Sequence, residues 1–226
     1  MVDNTYLVIT SINQPNAILQ SISIEARRHG WKFLVVGDKK SPTDFNLDGC
    51  EFLSCDHQSK SEFSFASHCP YNHYARKNIG YLWAIKHGAE VIVETDDDNR
   101  PQPVFWDLRK RRQLARLIDN DTWVNTYQYF TDQKIWPRGF PLDAITTTPS
   151  ESDTTILALD CPIQQGLADK EPDVDAIYRL VLGGHVWFED RPAVALGKSS
   201  YCPFNSQNTT WFRDAFPLLY LPATCS

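Results

Sequence analysis

The chain has 226 residues, 42% of them hydrophobic and 22% charged, enough for one large α/β domain that buries its own core. Its net charge of −6 excludes a general nucleic-acid binder, which needs a basic surface, but leaves room for local phosphate binding through a few cations and a metal. No apolar run approaches the roughly 20 residues of a membrane span, so no direct membrane insertion is expected.

Aromatic residues make up 12% of the chain, with seven Trp. Most are expected in the core, although aromatic faces also serve sugar sites. The six cysteines (Cys50, Cys55, Cys69, Cys161, Cys202, Cys225) lack CxxC spacing, so no zinc site is expected. Met1–Asn4 leads directly into a strand-like segment rather than a signal peptide.

Tyr6–Ser11 (YLVITS) is a short β-rich apolar run and reads as a buried strand. Asn13–Asn16 is a turn. Ala17–His29 puts Ile18, Ile22 and Ala26 on one helical stripe, and Gly30 ends it. Lys32–Val36 (KFLVV) is a second buried strand that ends in Gly37-Asp38, so the N-terminal region is a βαβ unit with a right-handed parallel crossover. Glu51–Leu53 is a short third strand. Tyr74–His87 is a helix closed by Gly88, and Ala89–Thr95 (AEVIVET) is a central strand running into Asp96-Asp97-Asp98-Asn99. Val104–Ile118 is expected to be a helix with a solvated basic face, and Thr122–Tyr129 a strand. Thr131–Ser152 reads as a long functional loop. Thr154–Leu159 is a strand, Val174–Leu182 a helix, Gly183-Gly184 a break and His185–Phe188 a strand. No repeat or linker divides the chain. Residues 1–226 are therefore expected to be one single domain, and whether it is a piece of a longer protein stays open.

Three carboxylates at the end of an apolar strand repel one another, and burial raises the cost. A divalent cation resolves this. Mg²⁺ and Mn²⁺ take hard oxygen ligands, often one or two carboxylates completed by substrate phosphates. In open α/β sheets ligands bind beyond the carboxyl ends of the strands, where this DxD-containing cluster lies. Asp96 and Asp98 are the candidate metal ligands, with Asp96 and Asp97 also on the ligand. Upstream, Arg76 and Asn78 open the preceding helix, where cations and backbone amides suit a phosphate or a base carbonyl. Further on, Asp173 and Asp175 precede a helix. They are either N-terminal caps or a general base for an acceptor hydroxyl.

ARKNIGYLWAIKHGAEVIVETDDDN (Ala75–Asn99) resembles the GT-A glycosyltransferase pattern in which Arg and Asn precede a helix and the next strand ends in DxD. PDVDAIYRLVLGGHVWF (Pro172–Phe188) is similar to the EDxDLxxRL…G segment of inverting enzymes, with Pro172 in place of the Glu and Ala176 in place of the Leu. Pro137–Leu142 (PRGFPL) resembles the RGYPF segment of the reversibly glycosylated polypeptides, which act as UDP-arabinopyranose mutases. TDDDN, PRGFPL and PFNSQNT (Pro203–Thr209) together look most like the STELLO-type glycosyltransferases.

The resemblance implies a GT-A fold with a mostly parallel central sheet flanked by helices, a UDP-sugar donor and Mn²⁺ or Mg²⁺. It places Thr10, Ser11 and Asp38 on the uridine and makes Asp173 the base. The reaction implied is hexosyl or pentosyl transfer to a hydroxyl of a glycan, glycoprotein or small-molecule acceptor. A loop carrying Trp136, Arg138 and Phe140 would close over donor and acceptor. Two other readings stay open: a mutase or self-glycosylating protein using Arg138, and a catalytically silent GT-A-like scaffold, which the Pro172 departure keeps in view. STELLO-type proteins reside in Golgi membranes and the mutases in the cytosol, so the compartment is left open.

Overall fold

The computed structural model describes residues 4–146 and 155–224. The chain divides into two compact units. Met1–Arg109, Pro162–Gln164 and Ser206–Ser226 form the first, and Lys110–Cys161 and Gln165–Asn205 the second. Among the described residues no helix is long and apolar enough to cross a membrane.

The first unit is an α/β sheet whose strand order is β3-β2-β1-β4-β9-β7. β1 (Thr5–Thr10), β2 (Lys32–Val36), β3 (Cys50–Leu53) and β4 (Val91–Thr95) are parallel. β9 (Asn208–Phe212) runs antiparallel to β4, and β7 (Ile163–Gln165) lies beyond it. β1 and β4 read as continuous apolar runs because both faces of the sheet are covered. Tyr6, Val8, Leu34, Val36 and Ile92 face one core with α4 (Lys77–Lys86), which includes Ile79, Tyr81 and Ala84. Leu7, Ile9, Phe33, Val35, Val91 and Val93 face the other with α1 (Ala17–Arg28).

Asn16 caps α1 by accepting from the Leu19 amide at 2.9 Å, and Gly30 follows the helix in the left-handed region at φ +70°. Gly80 lets α4 lie directly on the sheet. A Cβ there would come within 2.6 Å of Val36 and 2.7 Å of Val8. Two one-turn helices, α2 (Cys55–Ser59) and α3 (Ser64–His68), precede α4.

The second unit holds a three-stranded sheet, β6-β5-β8. β5 (Arg112–Ile118) is antiparallel to β6 (Ile156–Asp160) and parallel to β8 (Ala193–Leu196). One core gathers Tyr127, Ile135, Trp136, Phe140, Val174, Tyr178 and Val186, and a smaller one gathers Ile118, Val124 and Tyr129. The short helix α5 (Ala176–Val181) supplies Tyr178.

Several expectations need correction. Val104–Ile118 is not a helix: a 3-10 turn at Pro103–Trp106 is followed by β5. Arg, Gln, Leu and Ala favour a helix, but strands on both sides take the backbone hydrogen bonds of this segment, and tertiary pairing overrides propensity. Its basic residues are not simply solvated either, since Arg109 donates to the Phe105 carbonyl at 2.6 Å and lies over the Phe105 ring. Thr122–Tyr129 is not a strand but a single bridge at Trp123 followed by a 3-10 helix at Thr126–Tyr129, entered through Asp121 at φ +50°. His185–Phe188 is reduced to one bridge, Lys170↔Val186. The described part of the Thr131–Ser152 segment is a folded connection with a 3-10 turn at Leu142–Ala144. Residues 147–154, including the expected start of a strand at Thr154, lie outside the described residues.

Candidate functional site

The carboxyl ends of β1, β2 and β4 meet at one edge of the first unit, and the polar groups there are tied together. Ser11, which follows β1, is buried, and its Oγ donates to Asp97 Oδ2 at 2.5 Å. Asn13 Nδ2 donates to the same oxygen at 2.9 Å, and Asn16 Nδ2 reaches the Asp97 carbonyl at 3.4 Å. Asp97 thus braces the acidic loop against the loop after β1.

Asp38, after β2, accepts from the Lys39 amide at 2.7 Å and from the His73 amide at 3.2 Å, so its carboxylate shapes backbone on two sides. Ser41 Oγ links this turn to the Ser11 carbonyl at 2.7 Å. Thr10 is the last residue of β1 and is partly exposed. The structure therefore brings Thr10, Ser11, Asp38 and the aspartate cluster to the same sheet edge.

Beneath this edge lies a buried charge cluster. Lys77 is 1% exposed. Its Nζ donates to the Thr95 carbonyl at 3.0 Å and the Ser206 carbonyl at 3.2 Å, and lies 3.5 Å from Asp96 Oδ1 and 3.8 Å from Glu94 Oε2. Glu94 accepts from Tyr81 and, at 2.8 Å, from Trp211 Nε1. Burial raises the Glu94 pKa against the pull of Lys77, Tyr81 and Trp211. Burial also raises that of Asp96, opposed by Lys77 and reinforced by repulsion from Asp98 and Asp97.

The three aspartates therefore differ. Asp97 is engaged by side chains of the neighbouring loop. Asp96 keeps 44% of its side chain in solvent beside Lys77, and Asp98 is exposed. Among the described residues no group of three His, Cys, Asp or Glu side chains is placed to hold a metal ion. What is present is a pair of open carboxylates whose mutual repulsion a cation would relieve. That fits Mg²⁺ or Mn²⁺ bound by one or two protein oxygens and completed by phosphate and water.

Arg76 and Asn78 occupy different ground. Arg76 is buried and donates through Nε to Gln58 Oε1 at 2.9 Å, through Nη2 to the same oxygen and through Nη1 to the Cys69 carbonyl at 3.1 Å. Its guanidinium also lies over the Tyr71 ring at 4.4 Å. Asn78 donates to the Leu221 carbonyl at 2.7 Å and accepts from the Leu221 amide at 2.8 Å, holding the C-terminal segment against α4. Both side chains thus have protein partners. The side chain between them, Lys77, reaches the acidic loop. A signal for it existed: Lys77, Gly80, Tyr81 and Ala84 share one helical stripe, so a lysine sits on the buried face of α4.

In the second unit Arg138 and Asp173 come together, Nε to Oδ1 at 2.7 Å, and the Arg138 amide donates to the Asp173 carbonyl at 3.1 Å. Pro137–Phe140 forms a tight turn, closed by the Phe140 amide on the Pro137 carbonyl at 3.1 Å with Gly139 at φ +79°. Trp136 and Phe140 are buried, so of the three residues expected on a closing loop only Arg138 reaches the surface. Asp175 takes the cap role: Oδ1 accepts from the Tyr178 amide at 2.8 Å and Oδ2 from Trp136 Nε1.

No family model matches the chain. Across 98% of its length it is 32% identical to the probable glycosyltransferase STELLO2 of Arabidopsis thaliana and 31% identical to the probable glycosyltransferase STELLO1 of the same plant. The chain spans 31% of the length of each of these relatives.

Proposed function

We propose, since this chain belongs to the STELLO-type family, that it is a GT-A-type glycosyltransferase region that binds a nucleotide-sugar donor, a UDP-sugar, at the β1–β2–β4 edge of its first unit. The observation that supports this most is the division of labour among the three aspartates after β4. Asp97 fixes the loop, while Asp96 and Asp98 are left open to solvent.

Asp98, with Asp96 in support, would hold Mn²⁺ or Mg²⁺. Bound there, the metal supplies Lewis-acid stabilisation of the diphosphate charge as the donor bond breaks. Lys77 adds fixed positive charge beneath Asp96, and the loop after β1, held by Ser11 and Asn13, flanks the nucleoside. Preorganised charge of this kind needs no rearrangement when the ligand arrives. Between Asp173 and Asp175, the role of base toward an acceptor hydroxyl is given to Asp173, which is paired with Arg138, because Asp175 is committed to capping α5. The acceptor is a hydroxyl of a glycan, a glycoprotein or a small molecule.

The test is the melting temperature of the purified chain with uridine nucleotides and UDP-sugars, in Mn²⁺ and in EDTA. A ligand at about 100 times its dissociation constant adds roughly 2.7 kcal/mol of stability. A Mn²⁺-dependent rise with uridine nucleotides that disappears in Asp98→Ala is expected. An unchanged donor affinity in that variant would remove the metal assignment, and no rise with any nucleotide would remove the donor site.

A further inference from the structure

Resting on the glycosyltransferase reading, we propose that Trp123 and Tyr201 form a stacking platform for a pyranose ring of a glycan acceptor. The two residues face each other across a short parallel bridge. The Val124 amide donates to the Tyr201 carbonyl at 2.8 Å, and the Tyr201 amide to the Thr122 carbonyl at 3.0 Å. Buried Val124 and Ser200 anchor the bridge, with Ser200 Oγ accepting from the Asn120 amide at 2.9 Å. The backbone under both rings is therefore fixed, yet Trp123 is 41% exposed and Tyr201 55% exposed. Single exposed rings are ordinary, but two large rings held next to each other in water on a fixed backbone offer one contiguous aromatic surface.

The ring centroids are 6.0 Å apart and the planes meet at 53°, so neither ring lies flat on the other. Trp123 is backed by an edge contact with buried Phe140 at 6.3 Å. An aromatic face is negative and attracts the polarised C–H groups on the flat side of a pyranose, and covering the ring also removes apolar area from water.

Polar groups for the hydroxyls are close by. The turn ending in Phe140 carries Arg138, 67% exposed and paired with Asp173. A Cβ on the neighbouring Gly139 would touch Pro203 at 3.8 Å, two residues beyond Tyr201. A small aromatic corner beside the exposed Arg138 guanidinium, whose partner Asp173 is largely covered, suits a ring with one apolar face and a hydroxylated rim. A partner protein helix would require a longer apolar stripe than these two rings provide.

The experiment titrates short neutral oligosaccharides of glucose, galactose, mannose and xylose into the full chain, read by tryptophan fluorescence and saturation-transfer NMR. Binding is expected for at least one series. Trp123→Ala and Tyr201→Ala are each expected to weaken it by about tenfold or more, the equivalent of about 1.4 kcal/mol. Trp123→Phe should retain most of the affinity, and the Mn²⁺–UDP melting shift should survive Trp123→Ala unchanged. The platform is overturned if no oligosaccharide binds or if Trp123→Ala binds as tightly as the parent. Oligosaccharide binding through Trp123 without any response to uridine nucleotides would uphold the platform and remove the donor reading instead.

Discussion

In the first unit Lys77 and Glu94 are both nearly sealed from water beneath the acidic loop, and every close partner of Lys77 is a carbonyl or a carboxylate. In the second unit the ion pairs Arg138–Asp173, Arg111–Asp160 and Arg179–Glu171 lie at or near the surface over an apolar interior. A buried charge held by several partners fixes a loop, because losing one partner leaves the others without compensation. A surface pair holds little, since water and salt replace it. The buried Lys77 cluster thus uses charge to hold the acidic loop, whereas the outward pairs, which the first unit also has in Arg27–Asp48 and Lys60–Asp56, hold little.

The strongest way to break that contrast is Lys77→Met. It leaves Glu94 buried without its cation and is expected to cost about 3–5 kcal/mol of stability in urea unfolding. Adding Glu94→Gln should restore much of the loss. A midpoint unaltered by the single change would show that the cluster is not under load.

Asp175→Ala comes next, at about 1–2 kcal/mol, because it removes a helix cap and strips buried Trp136 of its acceptor. Loss of near-ultraviolet ellipticity from Trp136 would accompany it.

Arg138→Ala should have the smallest effect, below about 1 kcal/mol and shrinking as salt is added. A larger, salt-independent loss would place Arg138 among the residues that hold the second unit together.

The same contrast explains what the sequence made legible. The strands up to the aspartate cluster are apolar runs punctuated by Gly30, Gly37 and Gly88, and the parallel sheet formed where these signals placed it. β5 hid behind helix-forming residues because its conformation is set by β6 and β8, more than 30 residues away in the chain. At the candidate site, the clustering of acids was visible, but the inequality among them was not. Only the folded loop shows that Asp97 faces Ser11 and Asn13 while Asp98 faces water. Arg76 drew attention by standing at a helix start, yet its donors meet Gln58 and Cys69, brought near by segments with no strong pattern of their own.

The grip of Asn78 on Leu221 joins residues 143 positions apart, and β9 pairs with β4 across a similar span. During synthesis the helix carrying Lys77 emerges long before the strand and tail that complete its surroundings. The whole second unit is made in the interval. Contacts of such sequence separation form slowly, and the open edge of β4 stays unpaired until they do. The first unit therefore begins at the ribosome and closes last, with the edge of β4 needing protection meanwhile.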